Sequence, residues 1–447
     1  MKTLFLSLAL LICGLPHASA QVLSEREQAR VVDEILAERL DTLLPVLMKR
    51  TGIDMWIVVS REYNEDPVLR TMLPATWLNA RRRTILVFYN DPGKKTYEKL
   101  AVARYSVGDS IKAAWDMEKF PDQWKALANI VETRNPKKIA INESADFAHA
   151  DGLVRTDYNE LVQALPERYR NRLVSAQDLA VAWLETRTKR EMQIYSQLVR
   201  ITHSIIAEAF SEKVITPGIT TSDDVVWWLR QRVTDLGLDT WFHPTVSIQR
   251  NDGEGFDHMK SFIDHPAGEI IREGDLLHVD FGITYLRLNT DVQEHAYALR
   301  LGETEVPASI TSAFTKANRL QDILTGHFAL GQTGNQILAA SLAQAKKEGI
   351  KASIYTHPLG SHGHAAGPTI GMWDQQDGVP GSGDFPMHAD TVYSIELNAA
   401  LDIPEWNKEI RIMLEQDGAF DGKKFRYLDG RQTSPHLIPR VQEGANP

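Results

Sequence analysis

Two acidic residues sit alone inside apolar, strand-like segments, and they constrain the fold more than any other feature. Asp280 lies in Leu276-Leu277-His278-Val279-Asp280-Phe281, and Glu396 in Val392-Tyr393-Ser394-Ile395-Glu396-Leu397. Such runs read as strands. A carboxylate in a strand core is expensive unless it is paired, hydrogen-bonded or bound to a metal, so the fold must supply partners. Asp291 follows eleven residues after Asp280 and opens a second apolar–polar alternation. An antiparallel hairpin through Leu286 would bring both aspartates to one place. Two acids in a hairpin are by themselves more often surface residues, so the pair gains meaning only from what accompanies it.

What accompanies it is a histidine cluster and a fourth strand. His357, His362 and His364 fall within Thr356–Gly367, among glycines and small residues that let a backbone approach a ligand closely. The alternative is an exposed polar loop. Glu409-Ile410-Arg411-Ile412-Met413-Leu414-Glu415 reads as a strand with alternating inward candidates. A mostly carboxylate set with one imidazole suits Mn²⁺, Co²⁺, Zn²⁺ or Fe²⁺, and carboxylates can bridge two ions.

The rest of the chain sets the frame. Its 447 residues are enough for two or three domains. A net charge of −10 offers no basic field for a nucleic-acid backbone. Met1-Lys2, the apolar Leu4–Leu15 and Ala18-Ser19-Ala20 read as a secretory signal peptide, residues 1–20, too short for a membrane span. Its removal takes away Cys13, the one cysteine, and a cysteine-free export product suits the bacterial periplasm. No later run approaches the ~20 apolar residues of a span.

After residue 20, Val31 to Leu44 follow a helical period that Gly52 ends. Strands are expected at 55–59, 84–89 (stopped by Asn90-Asp91-Pro92-Gly93) and 138–142, making an α/β unit over residues 21–182. A long helix runs from Ile194 to Phe210, and Thr221-Ser222-Asp223-Asp224 caps the next. Strands dominate from Trp241, so residues 183–447 form the second domain. The fold class is α/β (α+β).

The order Asp280, Asp291, His, Glu396, Glu resembles the pita-bread metallopeptidases: methionine aminopeptidase, aminopeptidase P and prolidase. "HVDFG" followed after eleven residues by "TD" is similar to the family's two-aspartate hairpin, and "YSIEL" to the strand carrying its first metal-binding glutamate. The N-terminal α/β part resembles the creatinase-type domain of the proline-specific branch. The resemblance implies that Asp280 chelates one of two divalent metals, with Mn²⁺ foremost, and that Asp291 bridges both. The family histidine lies in an H-x-x-G context, which His364-Ala365-Ala366-Gly367 satisfies; His364 is therefore preferred as ligand, with His362 its rival and otherwise a catalytic histidine. His357 in "THPLG" and His258, with His265 second, match histidines that steady the tetrahedral intermediate. Glu396 is implied as ligand and general acid/base.

Two departures matter. The family's last ligand is a glutamate in "R-I-E"; this chain has Arg411-Ile412-Met413, and a thioether is a poor ligand for hard cations. Glu415, two residues on, would replace it if a bulge or register shift brings it in. A second catalytic histidine in a "V-H-D/E" context is also missing from Ile370–Asp374. The resemblance implies an enzyme, a homodimer acting on peptides, that hydrolyses X-Pro bonds through a metal-bridging hydroxide; the pattern of residues 1–20 adds that it is exported. Alternatives on the same fold are a metal-independent creatinase-like hydrolase and a non-catalytic peptide-binding protein. Gly381-Ser382-Gly383 lacks the strand–elbow–helix context of a serine hydrolase.

Overall fold

The computed structural model describes residues 22–91, 93, 96–254 and 268–440. Residues 1–20 with Cys13, and also His258 and His265, lie outside them. Met55–Arg61 is almost uninterruptedly apolar because both of its faces are covered. It forms β1 in a six-stranded sheet with β2 (Arg83–Asp91), β3 (Thr96–Ala101), β4 (Lys112–Ala113), β5 (Ile139–Ile141) and β6 (Leu173–Ser175). Their order is β4-β3-β2-β1-β5-β6, with β1 antiparallel to β2 and parallel to β5. The first helical stretch, Glu25–Glu38, continues through a π-helical turn, Arg39–Leu43, into Leu44–Thr51. Gly52, at φ 68°, caps it in the left-handed conformation that glycine adopts without strain.

The helix Gln177–Glu185 runs across residue 183 and packs in the N-terminal core. The break between elements therefore falls at Thr186–Thr188. Thr188 and Glu191 then form a capping box that starts the helix Lys189–Ala209, five residues before its apolar stripe begins.

Beyond it, β7 (Thr245–Gln249), β8 (Leu276–Phe281), β11 (Val292–Ala298) and β19 (His436–Ile438) form one sheet in the order β19-β11-β8-β7. Between β8 and β11 lies a small hairpin, β9 (Thr284–Tyr285) and β10 (Leu288–Asn289). Its turn residues, Leu286 and Arg287, both have positive φ, 52° and 62°. Such turns usually take Asn-Gly. Here burial of Leu286 and hydrogen bonds from Arg287 to the carbonyls of Leu73 and Pro74 hold the strained backbone.

Two further ladders complete this half. β12 (Lys351–Ile354), β15 (Leu397–Ile403) and β16 (Lys408–Leu414) form one; β13 (His357–Leu359), β14 (Thr391–Ser394), β17 (Asp417–Phe420) and β18 (Phe425–Tyr427) form the other. The helices Ala308–Gly326 and Gly334–Lys347 share an apolar core with the first. Among the described residues, no helix is long and apolar enough to cross a membrane.

Candidate metal centre

Both ladders are carried by the same two chain segments. Leu397 pairs with Leu414 in one, and Ser394 with Asp417 in the other, in a single continuous register. Only Ile395-Glu396 and Glu415-Gln416 fall between. Glu396 thus stands opposite Glu415 at the seam, where neither is tied into a ladder. The expected bulge does not occur: β16 pairs regularly to Leu414, and the Glu415 backbone instead bridges Gln293. Met413 N–H meanwhile donates to Nε2 of His295 at 3.0 Å.

From the other side, β8 and β11 pair Asp280 with Gln293, and Asp291 lies just before β11. The aspartates meet as the hairpin spacing predicts. Three overlapping groups result, each with ligand atoms mutually within 4.8 Å: Asp280–Asp291–Glu415, His357–Glu396–Glu415 and Asp291–His357–His364. Asp280 Oδ1, Asp291 Oδ1 and His357 Nε2 are buried without a hydrogen-bond partner. Buried polar atoms are rarely left so, and hard carboxylate oxygens with one imidazole fit divalent cations of the Mn²⁺ or Zn²⁺ kind.

The electrostatics agree. Burial, reinforced by the charge of Glu415, pushes the carboxyls of Asp280, Asp291, Glu396 and Asp417 well above their usual range. So many acids cannot all ionise in a dry site without a cation. Burial pulls the His357 imidazole down, but the Glu415 carboxylate beside it outweighs burial and its pKa is raised. Asp417, which accepts from the Asp291 N–H at 3.4 Å, was not singled out from the sequence. Its spacing of two from Glu415 in Glu415-Gln416-Asp417 was the signal available.

His357 joins the carboxylates beside His364, which the sequence pattern preferred; both share a ligand group with Asp291. The imidazole facing the carboxylates is that of His357, 3.5 Å from Asp291 and 3.4 Å from Glu415. His357-Pro358-Leu359-Gly360 also satisfies H-x-x-G, seven residues before the preferred match. Gly360 N–H donates to the His362 carbonyl and Ala365 N–H to that of Pro358, so the loop doubles back. That fold sends His364, exposed, edge-on to His357 with ring centroids 4.7 Å apart. His362 is turned away to His149, 4.5 Å between centroids, and belongs to none of the ligand groups. Burial lowers its pKa to about 3, so it is neutral there.

His364 also marks one wall of a cavity of about 690 Å³ between the two halves of the chain, lined by Arg70, Trp77, Trp241 and Asn289 among others. Of the ligand groups, it is His364 that lines this space.

The model of metallopeptidase family M24 matches residues 193–417, the stretch that carries all five carboxylates and His357. The chain belongs to this family. Three solved structures show the shared two-domain, pita-bread fold of this M24 metallopeptidase. An X-Pro aminopeptidase from Thermotoga maritima MSB8 superposes with a TM-score of 0.60 at 16% identity, covering 87% of this chain and 99% of that one. An Xaa-Pro dipeptidase from Bacillus anthracis gives 0.56 at 15%, covering 92% and 99%. A prolidase from Pyrococcus horikoshii OT3 gives 0.54 at 13%, covering 91% and 99%. Comparison with curated protein sequences finds no match.

Proposed function

We propose that this M24 peptidase is exported and hydrolyses X-Pro peptide bonds with two divalent ions, Mn²⁺ foremost. Asp280, Asp291, His357, Glu396 and Glu415 would hold them. The observation that carries this reading is the overlap of the ligand groups around three orphaned buried atoms. Bound there, such ions supply Lewis-acid activation of water and of a carbonyl. Export rests on the sequence pattern of residues 1–20 alone. We place the division between the two domains at Thr186–Thr188, where the break between helices falls, rather than at 183.

The chain's own residues then divide the work. Glu396, one oxygen held by Gln293 and the other open to the cluster, takes a proton from water and returns it to the leaving proline nitrogen. That nitrogen belongs to a tertiary amide, which lacks an N–H and must be protonated to leave. His364, at the junction of cavity and cluster, takes the hydrogen-bonding role beside the substrate that the sequence reading gave to His357. The cavity receives the peptide.

Metal analysis of purified protein beside assays on X-Pro dipeptides, longer X-Pro peptides and creatine tests this. Two ions per chain and X-Pro turnover are expected, with both lost in Asp280→Ala and in Asp291→Ala while the protein stays folded. Full activity in either variant would sink the dinuclear reading. Creatine turnover without metal would establish the creatinase-like alternative, and neither metal nor turnover the peptide-binding one.

A further inference from the structure

Beneath the proposed ligands lies a buried polar chain that the reaction does not use directly. Gln293 Nε2 is 2.9 Å from Glu396 Oε1 and 2.7 Å from Glu415 Oε2. Its Oε1 is 2.9 Å from Nε2 of His278, whose Nδ1 is 3.4 Å from Ser247 Oγ. Gln293 and His278 are only 2% and 1% exposed, so water does not compete for these contacts. The backbone fixes the amide as well: Gln293 pairs with Asp280 on one side and bridges Glu415 on the other.

Donor counting leaves one arrangement. With cations bound, Glu396 and Glu415 are carboxylates that only accept, so both Nε2 protons of Gln293 go to them. Its Oε1 must then accept, which puts the His278 proton on Nε2 and leaves Nδ1 to accept from the Ser247 hydroxyl. Without the amide, two like charges would face each other across the seam with no donor between them.

We propose that Gln293, oriented by His278, is a positioning residue that holds Glu396 and Glu415 in the geometry in which they bind a cation together with His357. The proposal rests on the dinuclear reading above. Partners behind metal ligands typically contribute about 10–100-fold in metal affinity.

The experiment is calorimetric titration of Mn²⁺ into the metal-free full chain. Wild type should take up two ions. Gln293→Leu, similar in size but unable to donate, should weaken one of them by about 10–100-fold and leave the other unchanged. Excess Mn²⁺ should then restore kcat with KM unaltered. His278→Phe should weaken the same ion, and His278→Gln, whose amide nitrogen can still donate to Oε1, should recover it. A merely structural role would weaken both ions together and show no such recovery. Wild-type affinity for both ions in Gln293→Leu, or equal loss of both, overturns the proposal alone. No Mn²⁺ uptake by wild type overturns this proposal and the dinuclear reading together. Should Gln293→Leu not fold, the two His278 variants decide.

Discussion

His357 shows how much one side chain's surroundings decide. Its ring is buried, its Nε2 lies within 3.5 Å of two carboxylates, and no hydrogen bond satisfies that nitrogen. His362, five residues on, is equally plausible by composition but faces His149 instead. His357→Ala should therefore lose bound metal, His362→Ala should retain it, and His364→Ala should retain metal while losing rate. Metal stoichiometry after dialysis, read beside kcat, checks all three; metal lost from His362→Ala and kept by His357→Ala would reverse the assignment. The sequence held the H-x-x-G pattern twice, and only the doubled-back loop chose between the copies.

At the scale of an element, the short helix Pro67–Thr71 depends on a buried acid. Asp66 caps it, accepting from Leu69 N–H at 2.9 Å and from Asn142 Nδ2 at 2.8 Å. Burial raises its pKa to about 6, against the pull of those hydrogen bonds. A folded value above the unfolded one means the native state holds more protons between about pH 4 and 6. This group's stabilising effect is thus fully present at the acid end and is lost as pH rises through 6. The loss amounts to about 1–3 kcal/mol. Urea unfolding at pH 4 and pH 7 should show wild type losing that much relative to Asp66→Asn; a pH-independent difference would refute it. No sequence pattern marked Asp66, because its environment is assembled from Asn142, far along the chain.

Across the whole molecule, the joint between the halves turns on Arg39. Its guanidinium lies 2.7 Å from Glu191, donates to the carbonyls of Thr186 and Trp183, and stacks 4.4 Å from the Trp183 ring centroid. Burial lowers its pKa to about 10, which leaves it charged at neutral pH. Burial works against ionising Glu191, but the charges of Arg39 and Arg187 outweigh it and keep its carboxyl below the usual range. Arg187 still pairs with Glu191, so Arg39→Met leaves that carboxylate one partner and strips the Thr186 and Trp183 carbonyls of their donor, which should cost about 1–3 kcal/mol. A denaturant midpoint within error of wild type would show the joint carries no such load.

Sequence alone determined part of the pattern: the segments that form β1, β2, β5, β8, β11, β14 and β16, that Asp280 and Asp291 meet through a hairpin, and that Glu396, an acid in an apolar run, must find partners. These follow from local rules, namely alternation, spacing and the cost of burying a charge. The tertiary structure decided which histidine joins them, how Glu415 arrives and what supports the site. Glu415 reaches Glu396 because two ladders share one register and leave these two residues facing each other between them, without a bulge. Gln293 matters because β8, β11 and Glu415 converge on its amide. Contacts between segments distant in the chain depend on packing and register, and neither is written in the order of the residues that make them.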